Sequence, residues 1–217
     1  MNVEVISLFY KDYGLSQFHL RHYDWADKIT LITKTLAEGI NNEAQASWYN
    51  EAYRNSKADW IIVCDLDEFA FVSRETLEKV PANINVKKVA LYDIYPHVSE
   101  NPNLDPNIPV KDQRRHGFLM KDYYVKPIIV RGGLNLIFGI GRHGLIGNGI
   151  KMDNENFIGA HWRNCSLEYA LETRLKKRKD RFCQADIDKG YSARDRLETE
   201  ELIRKEFKDH ENDPQVF

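Results

Sequence analysis

The apolar positions of this chain alternate between short continuous runs and helically spaced sets. Val3 to Phe9 is an apolar run that predicts a first strand. Gln17 to Trp25 predicts a helix through Phe18, Leu20 and Trp25, and Lys28 to Thr33, rich in β-branched residues, predicts a second strand. Over Asn42 to Asn55, Ala44, Trp48, Ala52 and Tyr53 share a helical face, with Asn41 or Asn42 placed to cap it. Asp59 to Cys64 predicts a third strand, Ser73 to Glu78 a short capped helix that stops at Pro81, and Lys88 to Tyr95 a fourth strand. Strand, helix, strand, helix, strand is the order of a parallel sheet with helices on its faces, and right-handed crossovers make it Rossmann-like.

The pattern changes after Pro96. Pro96 to Pro109 carries four prolines and predicts a long loop. Tyr123 to Arg131 and Leu134 to Ile140 read as strands broken by Gly132-Gly133, a spacing that suits a hairpin. Phe157 to Trp162 predicts a short strand. Ser166 to Arg181 predicts a basic helix capped by Ser166, with Leu167, Ala170, Leu171 and Leu175 inward. Asp195 to Lys208 predicts a last amphipathic helix, and the final nine residues a frayed end.

One run changes the picture from fold to chemistry. Trp60-Ile61-Ile62-Val63-Cys64 has the continuous apolar character of a strand covered on both faces, and it runs into Asp65-Leu66-Asp67-Glu68-Phe69. Ligands bind at the carboxyl ends of strands in open α/β sheets. On a continuing strand Asp65 and Asp67 share a face, where they repel unless a cation or donor lies between them. A hard divalent metal that also binds a substrate phosphate meets that need.

Composition narrows the class. The chain of 217 residues has a net charge of −2, so it lacks the basic footprint of a nucleic-acid binder. No apolar run approaches the roughly 18 to 20 residues of a membrane span, and the start of the chain lacks a signal-peptide pattern. Three widely spaced cysteines argue against a disulfide framework and suit a reducing cytosol. The glycine-rich stretch from Gly132 to Gly149 matches neither a phosphate-cradling loop nor a dinucleotide fingerprint. Beyond the carboxylate cluster Asp65, Asp67 and Glu68, a third metal ligand is expected from elsewhere in the chain, with His143 in Gly141-Arg142-His143-Gly144 and His161 in Gly159-Ala160-His161-Trp162 as the candidates. The basic run with Arg174, Lys176, Lys177, Arg178, Lys179 and Arg181 reads as a solvated face, the alternative being that one or two of them reach a diphosphate or an anionic partner. It is also compatible with a peripheral contact to anionic lipid at the inner membrane face.

The succession Asn41-Asn42-Glu43, Trp48-Tyr49-Asn50 and Ala58 to Phe69 resembles family 2-type glycosyltransferases, most nearly the bacterial branch whose strand ends in D-x-D-E-F. Lys126-Pro127-Ile128-Ile129, Gly141-Arg142-His143-Gly144 and Gly159-Ala160-His161-Trp162 are similar to the C-terminal half of that branch. The likeness spans roughly residues 1 to 180 and is strongest from 41 to 69. It implies an α/β glycosyltransferase-A fold, a Rossmann-like mixed sheet with helices on both faces. It implies one catalytic domain over residues 1–210: a nucleotide-binding half (1–95), an acceptor and metal half (96–182) and a helical segment (183–210). It further implies a nucleotide-sugar donor, UDP- or GDP-linked, held through Mn²⁺ or Mg²⁺. Asp65 would lie near the ribose or the metal, and Asp67 would bind the metal with His161 or His143. Asn41, Asn42, Asn50, Lys126 and Arg142 would serve the donor. The general base has no sharp match; Asp153, Glu155 and Asp93 are the candidates.

The expectation is thus a cytoplasmic, metal-dependent and inverting glycosyltransferase acting on a glycan or lipid-linked acceptor. The loop from Pro96 to Gly117 would shape the acceptor site or act as a lid. A sugar-phosphate nucleotidyltransferase and a non-catalytic nucleotide-sugar-binding module are the alternatives.

Overall fold

A computed structural model describes residues 3–10, 29–36, 39, 41–65, 67–120, 124–178, 182–191 and 197–217. The chain is mixed α/β. Strand β1 (Val3–Tyr10) pairs parallel with β2 (Ile29–Leu36). The helix expected at Gln17 to Trp25 lies outside the described residues. Helix α1 (Asn42–Asn55) begins where Asn41 Oδ1 accepts the Ala44 N–H at 2.8 Å, which satisfies one of its N-terminal donors. Ser73 caps α2 (Arg74–Glu78) in the same way.

The main sheet is built from β3 (Trp60–Ile62), β4 (Glu68–Ala70), β5 (Val86–Tyr95), β6 (His116–Leu119), β7 (Val125–Arg131) and β10 (Met152–His161). Its order is β3-β7-β5-β10-β4, with β6 added to β5. Only β5 and β10 run parallel; the other pairs are antiparallel. The short β8 (Leu136–Phe138) and β9 (Leu145–Gly147) form a separate hairpin.

Two sequence expectations change here. The Trp60 strand pairs antiparallel with β7, not in a parallel Rossmann-like run. Gly132 permits this, because a Cβ there would fall 2.0 Å from the Ala58 carbonyl oxygen. The Gly132 N–H donates to Asp59 O at 3.0 Å, and the Arg131 guanidinium covers the Trp60 ring at 4.3 Å. The hairpin expected across Gly132-Gly133 is replaced by β8 pairing with β9. Asn50 of α1 engages both backbone groups of Phe138, N–H at 2.8 Å and C=O at 2.9 Å, and so draws β8 toward the helix.

The core follows the apolar faces of β5 and β7. Val89, Leu91, Ile128 and Ile129 form its centre, with Leu77 of α2 against them. Tyr53 of α1 packs with Val86, Val130, Leu136 and Phe138. At the other end Tyr95 meets Ala170, Ile203 and Phe207. Those last residues come from α4 (Leu167–Ala170) and from α6 (Glu200–Asp209), separated in the chain by α5 (Gln184–Asp188). A π-helical stretch, Leu171–Arg178, continues α4, and Ser166 caps it as expected.

The end of the chain is docked, not frayed. Gly117 N–H donates to Pro214 O and Val216 N–H to Arg115 O, while Phe217 packs on Phe71 and Trp162 with ring centroids 4.6 Å and 5.9 Å away. The segment after Pro96 is pinned as well. It contains the short helix α3 (Val110–Gln113), and fully buried Arg114 donates to the carbonyls of Cys165, Gln113 and Pro102. A buried guanidinium with three carbonyl acceptors makes this segment part of the scaffold.

Candidate cation and donor site

Strand register assembles the site. Across β4, β10 and β5, His161 lies opposite Glu68 on one side and Asp93 on the other. Residues paired across neighbouring strands share a face, so three ionisable side chains stand in one row. All three are buried. Buried ionisable groups require partners, and the row supplies some of its own.

The D-x-D motif does not continue the strand. Asp65 to Glu68 forms a turn in which Glu68 N–H donates to Asp65 O at 3.1 Å, and Asp65 N–H donates to Glu68 Oε2 at 3.2 Å. The spacing argument for a shared strand face is therefore replaced by a turn that aims the two aspartates differently. Asp65 meets Arg142, whose Nη2 also lies 3.4 Å from Glu68. Lys126 Nζ donates to the other Glu68 oxygen at 2.5 Å. Burial alone would raise the Glu68 pKa, but Lys126 and then Arg142 hold it below the ordinary carboxylate value.

Asp67 faces His161. Its Oδ2 is 3.6 Å from His161 Nε2, and its carbonyl accepts the Trp162 N–H at 2.7 Å. On the far side of the ring, His161 Nδ1 donates to Asp93 Oδ1 at 2.6 Å. Burial would lower the His161 pKa; hydrogen bonds to Asp67 and Asp93 outweigh it and push the value up to about 9. The carboxylate behind the imidazole fixes the ring and leaves Nε2 toward Asp67, as in carboxylate–histidine–metal arrangements.

Asp67 Oδ2 and His161 Nε2, an oxygen and a nitrogen 3.6 Å apart, are the side-chain atoms that would hold a divalent cation here. No group of three or more His, Cys, Asp or Glu side chains spaced for a metal occurs among the described residues. Two protein ligands are what a cation needs when a substrate's phosphates complete its shell. The proton on His161 must leave before Nε2 can bind a metal.

The remaining expected residues divide. Lys126 and Arg142 join the cluster. Tyr49 of α1, which sequence reasoning quoted without assigning, lies under Arg142 with its ring centroid 5.4 Å from the guanidinium carbon. Burial pushes the Tyr49 hydroxyl up to about 12, against the nearby Arg142 charge, and it donates to Gly139 O at 2.6 Å. Tyr124, also unassigned from sequence, separates the two histidines, 5.5 Å from His161 and 6.3 Å from His143 by ring centroids. His143 folds back on Gly141, where a Cβ would sit 2.7 Å from its ring. Asn41 caps α1, Asn42 is tied to Asp186 by its backbone N–H at 2.9 Å and its amide at 2.7 Å, and Asn50 is consumed by Phe138. The structure does not bring Asp153 or Glu155 to the cluster. Lys87 Nζ binds both Asp153 oxygens at 2.7 Å, and exposed Glu155 is six strand residues, roughly 20 Å, from His161. Asp93 is engaged as the partner that orients His161.

A groove of about 460 Å³ lies elsewhere, lined by Pro102, Asn103, Ser166, Leu167, Leu171 and Arg204 among others. None of the ion-pair cluster lines it. No family model, curated protein or solved structure matches the chain.

Proposed function

We propose that the chain is a metal-dependent glycosyltransferase with a glycosyltransferase-A type of fold. It would take a UDP- or GDP-sugar, invert the anomeric centre and act on a glycan or lipid-linked acceptor. The observation that carries this is the Asp67–His161 pair, 3.6 Å apart, with Asp93 holding the imidazole from behind. Transfer breaks the bond between the anomeric carbon and the diphosphate and forms one to an acceptor hydroxyl. A cation held by Asp67 Oδ2 and His161 Nε2 would act as a Lewis acid on the departing diphosphate. Asp93 keeps His161 oriented for that task, and the Asp65–Glu68 turn, clamped by Arg142 and Lys126, fixes where Asp67 points. No helix among the described residues is long and apolar enough to cross a membrane. A cytoplasmic setting belongs to the same proposal, and the three free cysteines support it.

The test is a melting-temperature screen of nucleoside diphosphates and nucleotide-sugars with and without Mn²⁺. Ligand that binds the native state raises the midpoint by mass action. The expected result is a Mn²⁺-dependent shift with UDP- or GDP-sugars, absent in Asp67→Ala along with sugar transfer. A wild-type protein that shifts with none of them would sink the proposal.

A further inference from the structure

Arg142 is the one non-glycine residue with positive φ among the described residues, at φ 58°, directly after Gly141 at φ 64°. A left-handed non-glycine residue stores strain, and such strain collects where a site imposes geometry. The side chain is buried, with only 6% of its surface exposed. Yet its hydrogen bonds, to Asp65 and Glu68, leave from Nη2 alone. Its Nε is buried with no hydrogen-bond partner. A buried N–H left unmade costs free energy, so an orphan in a tight cluster calls for an acceptor that arrives from outside.

Arg174 shows what a purely structural arginine looks like in this fold. It is equally buried and also faces two carboxylates. There Nε donates to Glu198 at 3.0 Å, Nη1 to Asn164 at 2.9 Å, and Nη2 to Glu198 at 2.6 Å and Glu206 at 2.8 Å. Every nitrogen is used. The contrast lies in the unused donors of Arg142, not in its burial or its charge.

We propose that Arg142 is a phosphate-binding residue: its unused N–H edge takes an oxygen of a diphosphate whose other oxygens face Asp67 and His161. The inference rests on the glycosyltransferase reading for the identity of the substrate, but its chemistry is that of a pyrophosphate group. Guanidinium suits this role because its planar donors match phosphate oxygens. Lys126 already compensates Glu68 at 2.5 Å, so the Arg142 charge is not wholly consumed by its two carboxylates.

Inorganic pyrophosphate is the probe, with diamagnetic Mg²⁺ present and in its absence, because Mn²⁺ would broaden a resonance so close to it. In wild-type protein the Arg142 Nε–H resonance, assigned by its loss in Arg142→Lys, should move and saturate as pyrophosphate is added. Arg142→Lys keeps a cation beside Asp65 and Glu68, so folding is protected. It should bind pyrophosphate at least tenfold more weakly while its response to Mg²⁺ alone stays as in wild type. An unmoved Nε–H, or equal pyrophosphate affinity in the two proteins, would overturn the inference. A pyrophosphate response lost in Arg142→Lys, with no nucleotide-sugar bound, would instead overturn the glycosyltransferase reading and leave this inference standing. A nucleotide-sugar shift with Nε–H unmoved would do the reverse.

Discussion

Two buried arginine clusters lie near the carboxyl end of β5, one reached through Glu68 beside Asp93 and one through Tyr95, and they are built to different ends. Around Arg174, Glu198 and Glu206 accept from Nε and Nη2, Asn164 takes Nη1, and Tyr95 donates to Glu206 while accepting from Asn164 at 2.6 Å. The network joins the π-helical stretch, β5 and α6, three elements with no backbone pairing between them. Around Arg142 the groups sit on turns and strand ends. Asp65 is half exposed, with 54% of its side chain accessible, and Asp67 is 39% accessible. An arginine with every nitrogen bonded, as Arg174 is, produces a clamp. Partial satisfaction, at the open end of a sheet, produces a place where ligand atoms can complete the set.

The largest effect expected from this contrast is on stability. Arg174→Ala removes four hydrogen bonds of a buried side chain at once, leaving Glu198 with Arg163 and Glu206 with the Tyr95 hydroxyl, and should cost about 3–5 kcal/mol in urea denaturation, a large share of a domain's net stability. Arg142→Ala should cost less, on the order of 1–2 kcal/mol, since Asp65 is solvated and Glu68 keeps Lys126. Equal losses would show that the two clusters do the same job and erase the distinction.

The two clusters were unequally legible in the sequence. The acidic strand end was visible because carboxylates after a buried apolar run are costly without partners. The partners were not, since His161 and Lys126 arrive through pairings of β4 with β10 and β5 with β7 and Arg142 through the turn between β8 and β9, and register across such distances is invisible to local spacing. Asp93 had been weighed as a base from its place at a strand end; the parallel register that sets it behind His161 gives it a different task. The Arg174 cluster was misread outright. A run of basic residues suggested a solvated face, yet Arg174 is turned inward beside Leu171 and Leu175 to meet carboxylates from a segment more than twenty residues on. Helical spacing marked the apolar members of that face and could not mark a charged one.

A second effect sharpens the comparison through pH. Folding raises the His161 pKa from 6.5 to about 9. The folded state therefore binds the proton more tightly than the unfolded chain, and the linked stabilisation is complete below pH 6.5 and lost as the pH rises toward 9. In metal-free protein this amounts to on the order of 3 kcal/mol. Guanidinium melts across that window should show wild-type stability falling as the pH rises, and His161→Asn should flatten that portion of the curve. Saturating Mn²⁺ should flatten it too, since the cation replaces the proton. A wild-type profile already flat between pH 6.5 and 9 would mean that Asp67 and Asp93 do not hold an imidazolium.

The smallest effect separates scaffold from site within α1, the helix that carries Tyr49 beneath Arg142. The resemblance assigned Asn41 to the donor, whereas its side chain is spent on the Ala44 N–H. Asn41→Ala should cost about 1 kcal/mol, and Asn41→Ser should restore most of it, because serine caps a helix nearly as well. If capping is the whole role, nucleotide-sugar affinity will track stability and return with serine. If serine restores stability but not affinity, the amide touches the donor as well, and the boundary of the ligand-completed cluster moves out to the first turn of α1. The same helix would then belong to both regimes, its start to the ligand and its buried face, through Asn50 and Tyr53, to the core.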